Sequence, residues 1–150
     1  MSTAKACIAA VAVVVAACGN TSKHSAIPDP CSLLTPDDIQ QATGRPPPAK
    51  GVVGALHWCS WGEAPTAGEI ILAGDLNDDV CRQDESEHDQ TISGLGDAAY
   101  LHKQVDGYQV CVVKGNASFF VSYSLSGKDV SQATIALARA ALSHLSAGSA

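Results

Sequence analysis

Ser118-Phe119-Phe120-Val121-Ser122-Tyr123-Ser124-Leu125 is the stretch on which the fold turns. Phe119, Val121, Tyr123 and Leu125 fall on one side of an extended chain, opposite Phe120, Ser122 and Ser124, and such period-two alternation marks a strand with one buried face. Upstream, Tyr100 to Val105 and Tyr108 to Val113 have the same strand-like composition. Asp106-Gly107 separates those two, and Lys114-Gly115-Asn116-Ala117 precedes the last strand; both read as hairpin connections. The second half of the chain is thus predicted to be an antiparallel meander with one face buried.

Downstream, Lys128 to Leu145 is predicted as a helix, with Asp129 as cap and Gln132 three residues later in capping-box spacing. Ile135, Ala138, Leu142 and Leu145, extended by Leu137 and Ala141, form the apolar stripe that would lie across the sheet. Upstream, Leu56 to Trp61 and Glu69 to Ala73 read as two further strands. Before them, Ser32 to Gly44 carries a complete set of helix-start devices: Thr35 as cap, Pro36 at the first helical position, and Asp37 and Asp38 at the positive end of the dipole. Leu34 can meet Ile39 as a hydrophobic staple, and Gly44 can end the helix. So short a helix needs a sheet to pack on. Arg45 to Gly54, with its three prolines, is expected to be irregular and partly extended, and the acid-rich Asp75 to Gln90 a solvated loop pinned at Cys81. Strands in runs flanked by helices predict an α+β fold. It is expected to have an antiparallel β-sheet of about five strands, with a short N-terminal helix and a C-terminal helix packed on it.

The first residues belong to a different category. Met1 to Lys5 is short and positively charged, and Ala6 to Ala17 is an unbroken run of small and apolar residues that ends at Cys18. This is the pattern of a signal peptide, and the run is shorter than the roughly 20 apolar residues needed to cross a bilayer as a helix. Val15-Ala16-Ala17-Cys18 looks like a bacterial lipobox, which implies diacylation of the Cys18 thiol and cleavage before it. An ordinary secretory signal cut near Ala17 is the alternative. Two acyl tails would give a stable anchor on the extracytoplasmic face of the cell membrane. The expected organisation is a signal peptide at 1–17, a lipidated Cys18 and flexible tether at 18–30, a single domain at 31–146, and a tail at 147–150.

Removal of the first 17 of 150 residues would leave 133 and take away Lys5, moving the formal net charge from −6 to −7. A mildly acidic domain is a poor partner for polyanions, so nucleic acid is disfavoured. With Cys7 in the signal and Cys18 under lipid, Cys31, Cys59, Cys81 and Cys111 remain. An even number in an exported chain reads as two disulfides. Three connectivities are possible; the sequential one, Cys31 with Cys59 and Cys81 with Cys111, is preferred.

The lipobox, the Pro30 to Asp38 run PCSLLTPDD, the Cys59-Ser60-Trp61 triplet, the Gly94 to Tyr100 run GLGDAAY and the Ala-rich last helix occur in a telling order. Together they resemble a family of small actinobacterial, mycobacterial-type lipoproteins of unknown function, the one named for domain of unknown function 3558. The resemblance covers nearly all of the mature chain. It implies an envelope location and a helix-plus-sheet domain, and it brings no catalytic residues with it.

Chemistry-bearing motifs are few. Gly94-Leu95-Gly96-Asp97-Ala98-Ala99 matches the letters of a dinucleotide-binding loop, but polar residues precede it and a strand follows, so a tight turn with Asp97 bonded to the turn backbone is expected. Asp84, Glu85, Glu87, His88 and Asp89 have neither EF-hand nor H-E-x-x-H spacing, and no metal site or other cofactor is assigned. No nucleophile and base can be named as a pair, so no catalytic residue is assigned. Trp58 and Trp61, three apart on a strand, must point to opposite faces. One of them, with His57 beside it, is the candidate binding element. A non-enzymatic module that binds an envelope protein or a small ligand is the expected function. A carrier of a lipid or other apolar ligand, in a cavity under the Ala-rich helix, is the alternative, and an unrecognised hydrolase the third.

Overall fold

At Thr35 the backbone is extended, and its hydroxyl accepts the Asp38 N–H at 3.2 Å while the Asp38 carboxylate accepts the Thr35 N–H at 2.8 Å. This reciprocal capping box, followed by Pro36, starts helix α1 at Pro36–Thr43, and Gly44 at φ +66° ends it by donating its N–H to the Gln40 carbonyl. Leu34 and Ile39 are both buried, as a hydrophobic staple requires. The computed structural model describes residues 29–47, 52–53, 58–62, 68–74, 81 and 90–147. Residues 1–28, with the signal, Cys18 and most of the tether, lie outside the described residues, as do His57 and the acids from Asp84 to Asp89.

Among the described residues, seven strands make one antiparallel sheet: β1 Val52–Val53, β2 Trp58–Trp61, β3 Glu69–Gly74, β4 Gln90–Thr91, β5 Ala98–Lys103, β6 Gly107–Lys114 and β7 Ala117–Ser124. Their spatial order is β1-β2-β3-β7-β6-β5-β4. Five of them are the expected strands. The other two, β1 and β4, are two-residue edge strands in segments expected to be irregular. They are too short to leave a periodic signal and exist because a neighbouring strand offers them a ladder.

Helix α2, at Ser131–Ala147, packs on β6 and β7, and α1 packs beside it. The helix begins later than its expected start, and the Asp129 carboxylate accepts the Ser131 N–H at 2.9 Å from just outside it. Its buried stripe is Thr134, Leu137, Ala138, Ala141 and Leu145, and Val130, just before the helix, is buried in line with it. Ile135 and Leu142 lie at its margin, so the stripe is turned slightly from the predicted one. Thr134 is tolerated inside because its hydroxyl donates to the Val130 carbonyl at 2.8 Å.

Under the helices lie three rows of paired side chains: Cys59-Leu72-Val121-Val110-Leu101, Trp61-Ile70-Tyr123-Tyr108, and Gly74-Phe119-Val112-Ala99. Phe119, Val121 and Tyr123 are buried there, on the predicted face of β7. Two disulfides, Cys31–Cys59 and Cys81–Cys111, realise the sequential pairing. They sit on opposite sides of the sheet. Cys59 shares a core row with Leu72, whereas Cys111 pairs with Phe120 and Tyr100 on the other face.

Candidate functional site

The register assembles a site that no single stretch of sequence reveals. Trp58 pairs with Ala73, Ala73 with Phe120, Phe120 with Cys111, and Cys111 with Tyr100, so one row crosses β2, β3, β7, β6 and β5 on the face opposite α1 and α2, where helical, buried Cys81 is bonded to Cys111 instead of lying in the solvated loop expected there. Paired residues in antiparallel strands project to the same side. Four strand spacings of about 4.8 Å make this row roughly 19 Å long. Its large members Trp58, Phe120 and Tyr100 are half-buried and alternate with buried Ala73 and the Cys81–Cys111 bridge.

Beside it runs a polar row. Ser60, Ile71, Ser122, Gln109 and His102 are paired in turn. Gln104 ties part of it together, donating to Gln109 Oε1 at 2.8 Å and accepting the Ser122 hydroxyl at 3.0 Å. These bonds fix the amide orientations. The outer face is thus an aromatic strip edged by an ordered polar strip, and it is less solvated than the alternation predicted, since Ser118, Ser122, Ala73 and Cys111 are all buried.

Of the predicted site residues, Trp61 is 6% exposed in the core row with Ile70, while Trp58 is half-buried on the outer face. The two do point oppositely. His57 lies outside the described residues. Phe120 and Tyr100 were not singled out by the sequence, because their alignment with Trp58 follows only from the strand order.

The expected tight turn before β5 is present. Gly94 and Gly96 adopt positive φ and Leu95 is buried, with Ala98 opening the strand rather than a helix. Asp97 has a different role from the one predicted. It reaches across to the β6–β7 turn, accepting the Gly115 N–H and the Lys114 ammonium, each at 2.7 Å. The Gly115 N–H, aided by Lys114, holds its carboxyl below the usual value. Asp97 is a structural clasp between two turns.

On the helix face, a pocket of about 360 Å³ opens between the end of α1 and the β2–β3 hairpin. It is lined by Ile39, Thr43, Arg45, Pro46, Gly62, Gly68, Ile70 and Tyr123. It is not the cavity expected beneath the Ala-rich helix: Ala138 and Ala141 are fully buried, and small side chains there let α2 approach the sheet closely. Among the described residues, no group of three or more His, Cys, Asp or Glu could hold a metal ion.

No protein-family model matches the chain. No curated protein matches it. No solved structure matches it.

Proposed function

We propose that the protein is a non-enzymatic recognition module, tethered to the outer face of the cell membrane through a lipid on Cys18, that binds an envelope protein with the outer face of its sheet. The observation that carries this reading is the row Trp58-Ala73-Phe120-Cys111-Tyr100. Its roughly 19 Å length suits a protein surface better than a small molecule, because small-molecule sites are concave and protein interfaces are flat patches rich in aromatics. The ordered Ser122-Gln104-Gln109 bonds beside it offer the polar rim that such interfaces have. The lipobox letters Val15 to Cys18 support the tether, and the two disulfides suit an oxidising compartment. The order of motifs shared with the small actinobacterial lipoproteins supports the same location.

Capture from detergent-solubilised envelope tests the reading. Trp58→Ala and Tyr100→Ala are expected to lose a partner that the parent chain retains, while Val105→Ala, at a fully exposed position in the β5–β6 turn, keeps it. Equal capture by all three variants would contradict it. A second reading, a carrier of a small ligand, is favoured by the pocket beside α1.

A further inference from the structure

Tyr123 is 3% exposed, and its hydroxyl has no hydrogen-bond partner among the described residues. A buried tyrosine hydroxyl ordinarily finds a partner, and leaving one unmade is costly. Here the ring lines the pocket beside α1, so the open volume is where the missing partner belongs.

A second polar group converges on the same place. Gly44 turns the chain left-handed at the end of α1, and the Arg45 N–H then donates to the Thr43 hydroxyl at 3.2 Å, which brings Arg45 to the pocket wall. Gly68 marks the meeting point. A methyl carbon added to it would lie 3.6 Å from the Tyr123 hydroxyl oxygen and 3.7 Å from Arg45 Nη1. Arg45 has no acidic partner among the described residues. The other lining groups, Ile39, Pro46, Gly62 and Ile70, are apolar, and Thr43 is already committed to the Ile39 carbonyl at 2.7 Å.

We infer that this pocket binds a small amphipathic carboxylate, with its carboxylate held by the Arg45 guanidinium and the Tyr123 hydroxyl and its apolar body against Ile39, Pro46 and Ile70. A guanidinium fork matches a carboxylate in two parallel bonds, and the phenol adds a third donor. One cation on the lining of an acidic protein suits a monoanion rather than a phosphate dianion. At roughly 30 Å³ per water-sized volume, the pocket holds a body of about a dozen heavy atoms. This site is separate from the outer face, and neither reading depends on the other.

Octanoate is the probe, with octanol and octylammonium as chain-matched neutral and cationic controls. Each is titrated calorimetrically into the full chain in lipid nanodiscs, with empty nanodiscs subtracted. Saturable octanoate binding at least about tenfold tighter than either control is expected, and Arg45→Gln and Tyr123→Phe are each expected to weaken it about tenfold. Because the phenol bonds no described residue, Tyr123→Phe is also expected to hold or raise the melting temperature of the unliganded protein. The inference is overturned by equal binding of all three probes, by no saturable binding of octanoate, or by unaltered affinity in both variants. A large loss of stability in Tyr123→Phe also overturns it, since the hydroxyl would then serve the fold.

Discussion

Replacing both members of one disulfide by alanine tests how much of the domain's stability is covalent. The Cys31–Cys59 bridge closes a loop of sequence separation 28 and the Cys81–Cys111 bridge one of 30. Loop-closure entropy scales with the logarithm of length, so each removal is predicted to cost about 3.6 kcal/mol. A domain of this size has roughly 5–15 kcal/mol in total, so losing either bridge consumes a large share. Packing adds to the covalent term at both sites. Cys59 is fully buried in the core row with Leu72 and Val121, and truncating its sulfur leaves unfilled core volume worth about 1 kcal/mol more. Cys81 and Cys111 are buried as well, on the other face of the sheet, so truncating them adds a comparable packing loss. Urea unfolding followed by tryptophan fluorescence reads both losses. The two double variants are expected to lose about 4–5 kcal/mol each and to agree within about 1 kcal/mol. A loss under about 1 kcal/mol from either double variant would refute the reasoning, because the chain would then be held by packing alone.

Trp61→Ala is expected to cost about 3–5 kcal/mol in urea unfolding, and Trp58→Ala much less. Iodide quenching of the parent should resolve one protected and one more accessible indole; two equally protected indoles would contradict the assignment. At Asp38, burial raises the carboxyl pKa, but hydrogen bonds from the Thr35 hydroxyl, the Thr35 backbone and His144, with the charge of His144, outweigh it and hold the carboxyl below its usual 3.8. A depressed acid stabilises the fold fully above its unfolded-state value and loses that contribution as pH falls through the folded-state one. The stability gap between the parent and Asp38→Asn, about 1 kcal/mol at neutral pH, should therefore close in acid below the ordinary carboxylate range, and a gap that persists there would refute this. Cys18→Ala is expected to abolish acyl labelling and leave unprocessed precursor or released protein; unchanged mass and membrane partition would refute lipidation.

What was legible in the sequence was local. Thr35, Pro36, Asp38 and Gly44 specify α1 because every group that starts or stops it lies within ten residues, and the alternation of β7 was readable because one face is sealed by α2. What depends on register was not legible. Phe120 and Tyr100 join Trp58 only because β7 inserts between β3 and β6. The pocket draws on residues distant in sequence, from Ile39 to Pro46 at the end of α1, from Gly62, Gly68 and Ile70, and from Tyr123, and its signal is a hydrogen bond missing among the described residues, which appears only once the fold is built. The role of Asp97 was misread for the same reason: its partners lie seventeen and eighteen residues away across a strand pair.

The central functional claim is that the outer aromatic row is the face that meets a partner. Photocrosslinking in intact envelopes tests it most directly, with a photoreactive phenylalanine analogue placed in turn at Tyr100, at Phe120 and at the fully exposed Val105. The account predicts one discrete adduct shared by the two row positions and absent at Val105. Adducts at Val105 alone, or none from either row position, would contradict it.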